Sequence, residues 1–169
     1  MPDLFPDLVH KSAEFSPCRR YRYLLSRKWG DGLRVAFIGL NPSTADETQD
    51  DPTIRRCIGF AKAWGYGGLW MLNLFAFRAT LPKDMKAAID PVGPENDEFI
   101  YRVAKRSALV VAAWGVHGRY RNRSVEVAGV LGMAGPVHCL GVTQDGSPKH
   151  PLYLPRTAEL AAYGGEEYA

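Results

Sequence analysis

Four short apolar runs mark the chain: Val35 to Ile38, Leu69 to Phe75, Ala108 to Ala113 and Val137 to Leu140. Runs of this length with almost no polar interruption predict strands buried on both faces. The segments between them carry a helical period. Asp51-Pro52 opens one helix, with Ile54, Ile58 and Ala61 on one face, Cys57 beside them, and a stop at Gly65. Pro94-Glu-Asn-Asp97 opens another, running to about Arg106 with Phe99, Ile100, Val103 and Ala104 inward. Tyr120 to Leu131 predicts a third, and short helices are expected at Lys83–Ala88 and Arg156–Tyr163. Near the start, Arg20 to Trp29 alternates loosely, as an edge strand does. Gly30-Asp-Gly32 then predicts a hairpin joining it to Leu33–Ile38.

Strands alternating with helices imply a mostly parallel sheet covered on both faces. The expectation is an α/β fold: a three-layer α/β/α sandwich with a mostly parallel four-stranded central sheet and an N-terminal antiparallel edge strand. One domain spans 1–169, with 1–17 as an arm and 164–169 as a frayed tail.

Composition narrows the function classes. The chain has 169 residues, enough for one domain with a proper core, and its 46% apolar share is ordinary. A formal net charge of +3 permits a nucleic-acid partner without demanding one. Cys18, Cys57 and Cys139 lack paired metal spacing, so reduced thiols are expected. No stretch approaches the ~20 apolar residues of a membrane span. The acidic, proline-bearing start does not read as a signal peptide, so a cytoplasmic location is expected.

Polar residues gather where the predicted strands end. Asn41, Pro42, Ser43 and Thr44 follow the first run, Asn73 interrupts the second, and Trp114 to His117 follow the third. A loop from Gly141 to Pro155 follows the last and contains His150. In open α/β sheets, ligands bind at the carboxyl ends of the strands, so these groups should converge. A buried Asn73 must satisfy its amide against neighbouring backbone or against a ligand such as a nucleobase edge. His150 is either a solvated loop residue or a hydrogen-bond donor to a developing anion. His117 can equally approach the pocket, whereas His138 sits in an apolar strand as a core or edge residue. Asp46, Glu47, Asp50 and Asp51 follow the first loop. Asp50 or Asp51 can cap the helix; the alternative is that Asp46 orients water or binds a metal. Arg119, Arg121 and Arg123 form a solvated face or touch phosphate. The phosphate-binding glycine motifs and the Gly-x-Ser-x-Gly elbow are absent.

Two resemblances follow. Gly39-Leu-Asn-Pro-Ser-Thr-Ala45, Asp50-Asp-Pro-Thr-Ile-Arg-Arg-Cys57, Trp64-Gly-Tyr-Gly-Gly68 and Pro91-Val-Gly-Pro-Glu-Asn-Asp97 resemble a bacterial family known as domain of unknown function 1643. More distantly, the order of motifs is similar to the uracil-DNA glycosylase superfamily. Gly39-Leu-Asn41-Pro42 looks like its water-holding loop, and Gly68-Leu-Trp-Met-Leu-Asn73 like its base-reading strand. Val110-Val-Ala-Ala-Trp-Gly115 looks like its strand running into Trp-Gly, and His150-Pro151-Leu152 like the start of its catalytic His loop.

That second resemblance implies excision of uracil or a modified pyrimidine from DNA. Asn41 and His150 would be catalytic. Asn73, Pro42, Ser43 and Phe77 would bind the base, with Phe60 as the other ring able to stack on it. Ser147, Lys149, Leu152, Tyr153 and Arg119 would lie nearest the DNA, and Leu152 to Leu154 could form a wedge. It implies a monomer with no cofactor and no metal. The sequence departs from the pattern at Leu152, where a serine is expected. It also lacks the stacking Phe expected about a dozen residues after Asn41, and it has a small Ser43 where strict uracil enzymes carry a bulky ring. A non-catalytic nucleic-acid or nucleotide-binding module, and a metal-assisted hydrolase using Asp46, Asp50 and Asp51, are the competing expectations.

Overall fold

The computed structural model describes residues 10–164. The first nine residues of the expected arm, and the tail beyond Gly164, lie outside them. A seven-stranded mixed sheet forms the centre, in the order β1-β2-β4-β3-β5-β6-β7. The strands are β1 His10–Phe15, β2 Arg22–Lys28, β3 Arg34–Gly39, β4 Gly68–Asn73, β5 Leu109–Ala112, β6 His138–Cys139 and β7 Ala161–Ala162. Four adjacent strands, β4-β3-β5-β6, run parallel, and they are the four apolar runs of the sequence. The remaining pairings are antiparallel.

The helices are α1 Pro52–Ala63, α2 Pro82–Ala87, α3 Asn96–Arg106 and α4 Arg123–Ala134. They cover the two faces unequally. One face packs Val35, Phe37, Leu69 and Val111 against Ile54, Cys57, Phe60 and Ala61 of α1. The other packs Ala36, Ile38, Leu72 and Val110 against Met85 of α2, Ile100 and Val103 of α3, and Val127 and Leu131 of α4. Alternate residues of β3 thus feed two separate cores, as a period of two requires. Truncating any one of these buried Leu or Ile side chains should cost about 2–5 kcal/mol.

Four expectations need correction. β2 does not form a hairpin with β3; it pairs with β4, with Leu25 opposite Met71. The Gly30 turn instead folds back on Gly67, whose carbonyl accepts from the backbone N–H groups of Trp29 and Gly30. A Cβ on Gly68 would sit 2.7 Å from the Arg27 carbonyl, so this crossing needs a residue without one. β2 is therefore interior, and the sheet edge is β1, which lies in the stretch read as an arm. The segment Arg156–Tyr163 is not helical and contributes β7, which pairs with β6. The third long helix begins late, at Arg123, because the preceding 3-10 segment Val116–Asn122 ends in left-handed backbone at Arg121 and Asn122 (φ 53° and 57°). In the first helix, Phe60 turns inward as well as Ile54, Cys57 and Ala61.

Candidate active site

α1 starts sharply. Asp51 accepts from the Ile54 N–H at 2.9 Å, and Pro52 occupies the first turn. The loop from Leu40 to Asp51 is thereby suspended between the end of β3 and a fixed helix start. Asn41 fastens it from the other side, donating through Nδ2 to the carbonyls of Ala79 (2.8 Å) and Pro42 (3.1 Å). The Ala79 N–H returns a bond to the Pro42 carbonyl at 2.9 Å. These bonds consume the amide hydrogens of Asn41, so its Oδ1 remains as the acceptor.

The carboxyl ends of the parallel strands enclose a cleft of about 870 Å³. Asn41, Ser43, Asp51, Trp114, His117 and His150 are among its walls. A recess of about 40 Å³ adjoins it and shares Asn41, Ser43, Asp51 and His150 with it. Asn73, Thr53 and Arg22 complete the polar lining of the recess, and Pro42 lies beside them. The two amides and the imidazole singled out in the sequence thus meet around one small space.

Asn73 is only 2% exposed, and its Nδ2 has no hydrogen-bond partner among the described residues. A buried amide N–H without a partner costs about 1–3 kcal/mol, so its presence wants a reason. Gly39 makes room for the side chain: a Cβ there would lie 2.8 Å from Asn73 Oδ1 and 2.7 Å from the Met71 methyl. The backbone beneath is pinned. Asn96 Nδ2 donates to the carbonyls of Asn73 and Leu74, and the buried Arg123 donates through Nε to Leu74 at 2.8 Å.

His150 caps the 3-10 turn Pro151–Tyr153 by accepting the Leu152 N–H on Nδ1 at 3.2 Å. That bond requires an unprotonated Nδ1, so the neutral ring carries its proton on Nε2. Burial lowers the His150 pKa, and the nearby Asp51 carboxylate partly opposes the shift. His150 therefore presents one N–H donor and no net charge. Its loop is held by the Gly115 N–H, which donates to the Pro148 carbonyl at 2.9 Å. Arg56 adds a bond to the Leu154 carbonyl.

Other expected residues fall unevenly. Lys149, Leu152 and Tyr153 line the cleft, and Tyr153 stands 84% exposed with its ring 6.0 Å from that of His150. Phe77 lines neither space; it packs edge-on against Tyr21 at 5.9 Å. Phe60 is buried against Trp64. Ser147 is buried in a tight turn, where its N–H is taken by Thr143 and Asp145, and Arg119 pairs with Asp145 at 3.2 Å. Of the acidic group, Asp46 closes an Asx turn on Thr48 and Gln49, and Glu47 pairs with Arg19. Asp50 pairs with the buried Arg27 at 2.7 Å. Among the described residues, no three His, Cys, Asp or Glu side chains gather as metal ligands would.

Two further lining residues carry charge, and sequence reading gave Arg22 no place at a site. Arg22 looked like the polar side of an edge strand. It is 2% exposed, donates to the Ala45 carbonyl at 2.9 Å, and leaves Nε unpartnered. Burial lowers its pKa to about 10, against the opposing pull of Asp51, so it stays cationic at neutral pH. Asp51 was read as a possible cap. It is one, and it is also the sole carboxylate among the residues lining cleft and recess. The Asp51-Pro52 pair gave the first role, and the competing hydrolase reading named Asp51 beside Asp46 and Asp50, neither of which lines the cleft or the recess.

The family model for "Protein of unknown function (DUF1643)" matches residues 22–152. The chain belongs to the DUF1643 family. The matched span runs from β2 to the turn after His150 and holds every polar residue of the recess. No curated protein and no solved structure matches the chain. As a DUF1643 member its fold and site are defined by the geometry above, and the family's title assigns no activity.

Proposed function

We propose that the cleft binds a pyrimidine flipped out of DNA and hydrolyses its N-glycosidic bond. The observation that carries this reading is the meeting of Asn41, Asn73 and His150 around one recess. Asn73 brings an uncommitted amide donor to the pairing edge of the base. Ser43 is small, so the pocket has room for a substituent on the fifth carbon. The wall formed by Leu152 and the exposed Tyr153 is placed to fill the gap the base leaves.

In the reaction, water attacks the anomeric carbon as the bond to the base nitrogen breaks. The electron pair leaves with the base, and negative charge spreads onto its carbonyl oxygens. The Nε2–H of neutral His150 donates to that charge without first gaining a proton. Asn41 Oδ1 holds the water, and the Asp51 oxygen not used in the helix cap accepts its proton. An amide cannot act as the base, so Asp51 supplies the role that Asn41 lacks.

The experiment is a gel assay for abasic product on oligonucleotides bearing uracil, 5-hydroxymethyluracil or mismatched thymine. Product on at least one, reduced a hundredfold or more by Asp51→Asn, is expected. Asparagine is as good a helix cap as aspartate, so that variant keeps the fold. No product on any of the three at high enzyme overturns the reading. A second reading, a module that binds a nucleobase without turnover, draws on the engagement of both Asn41 amide hydrogens with backbone. Saturable binding with no product selects it.

A further inference from the structure

Beside the cleft, and sharing Pro52 and Leu152 with it, runs a groove of about 670 Å³ along the outer side of α1. Its charged lining is entirely basic: Arg55, Arg56 and Arg156. None of the three is in an ion pair among the described residues. Arg55 and Arg156 are exposed, while Arg56 reaches under the groove to the Leu154 carbonyl and leaves Nε buried and unpartnered. Gly59 faces open space, where a Cβ would meet nothing within 4 Å. Phe60, Ala63, Pro52 and Leu152 supply apolar surface between the charges.

We infer that this groove carries the sugar-phosphate backbone of a nucleic-acid strand, leading it past Leu152 into the cleft. Three guanidiniums outside any ion pair, Arg55 and Arg56 donating only to the Asp50 and Leu154 carbonyls, suit a chain of phosphates, and apolar patches between them suit sugars. This places the backbone contacts on α1 and Arg156, away from Arg119 and Ser147, which are engaged with the Thr143–Ser147 turn. The inference rests on the DNA reading for what occupies the cleft, but it concerns binding and not excision.

The test is the salt dependence of binding to a fluorescein-labelled single-stranded oligonucleotide, followed by anisotropy. Each single-strand phosphate contact contributes about 0.7 to the slope of log affinity against log salt. Arg55→Ala with Arg156→Ala removes two exposed cations and should lower the slope by roughly 1.4. A control pair of equal charge on α3, Arg102→Ala with Lys105→Ala, should leave the slope unchanged. Matched thermal melts establish that both pairs fold. Polyglutamate is the competitor that separates nucleic acid from any polyanion, and it should fail to displace the strand at equal charge. An unchanged slope in the groove pair, an equal fall in the control pair, or displacement by polyglutamate overturns the inference. A protein that shows the expected slopes but excises no base upholds it while removing the glycosylase reading.

Discussion

Asn96 Nδ2 lies 2.9 Å from the carbonyl oxygen of Asn73 and 3.0 Å from that of Leu74. A fully buried amide on α3 therefore fixes the point where β4 ends and the site begins. Removing it takes the side-chain donor from the Asn73 carbonyl and one of two from that of Leu74. Asn96→Ala should lower stability by about 2 kcal/mol, read from urea unfolding, with Leu74 still held by Arg123. It should also weaken ligand binding, although Asn96 lines neither space. Wild-type stability in that variant would show that β4 needs no such anchor.

Asn73 is predicted to be costly to the empty protein. Its Nδ2 is buried without a partner, and leucine has nearly the same shape without the donor. Asn73→Leu should leave the melting temperature unchanged or raise it by a few degrees, the pattern of a residue kept for function and not for folding. A clear drop in melting temperature would mean that the amide serves the fold.

Because burial lowers the His150 pKa, the folded protein holds this ring neutral below the pH at which an unfolded chain protonates it. The unfolded state binds more protons in that window, so stability should fall as pH drops through and below about 6.5. If His150 acts as proposed, through its neutral Nε2–H, the acid limb of the rate profile should lie below the ordinary histidine range. His150→Gln should flatten the His150 part of the stability slope. An acid limb at or above the ordinary value would contradict a neutral donor.

The three thiols should separate cleanly. Burial raises the pKa of Cys57 and Cys139, whereas a hydrogen bond from Ser16 lowers that of the exposed Cys18. A thiol reagent applied to the native protein should modify Cys18 quickly and the other two only on unfolding. Fast reaction of Cys57 would place α1 in motion over its core.

Much of the architecture was legible because the four parallel strands are buried on both faces and read as unbroken apolar runs. Asn41, Asn73 and His150 were legible for a related reason: each follows or interrupts such a run at its carboxyl end. What misled was buried charge. Arg22 read as the polar side of an edge strand, yet it lies inside and donates to the Ala45 carbonyl, and Arg27, on the opposite face of β2, is buried against Asp50. The Gly30 turn has a hairpin's composition, but its partner is the Gly67-Gly68 crossing, far away in sequence. Asp51 announced its cap through local spacing, while its place on the cleft wall depends on how β3, β5 and the His150 loop close around it. The basic groove stayed hidden because Arg156 joins Arg55 and Arg56 only through the fold.

The central claim is that the recess reads a base whose glycosidic bond is then broken. Single-turnover excision from a uracil-containing oligonucleotide, comparing the wild-type protein with Asn73→Leu at matched stability, tests it most directly. The account predicts abasic product from the wild type and a loss of a hundredfold or more in the variant. Equal rates from the two proteins, or no product from the wild type at enzyme excess, would contradict it.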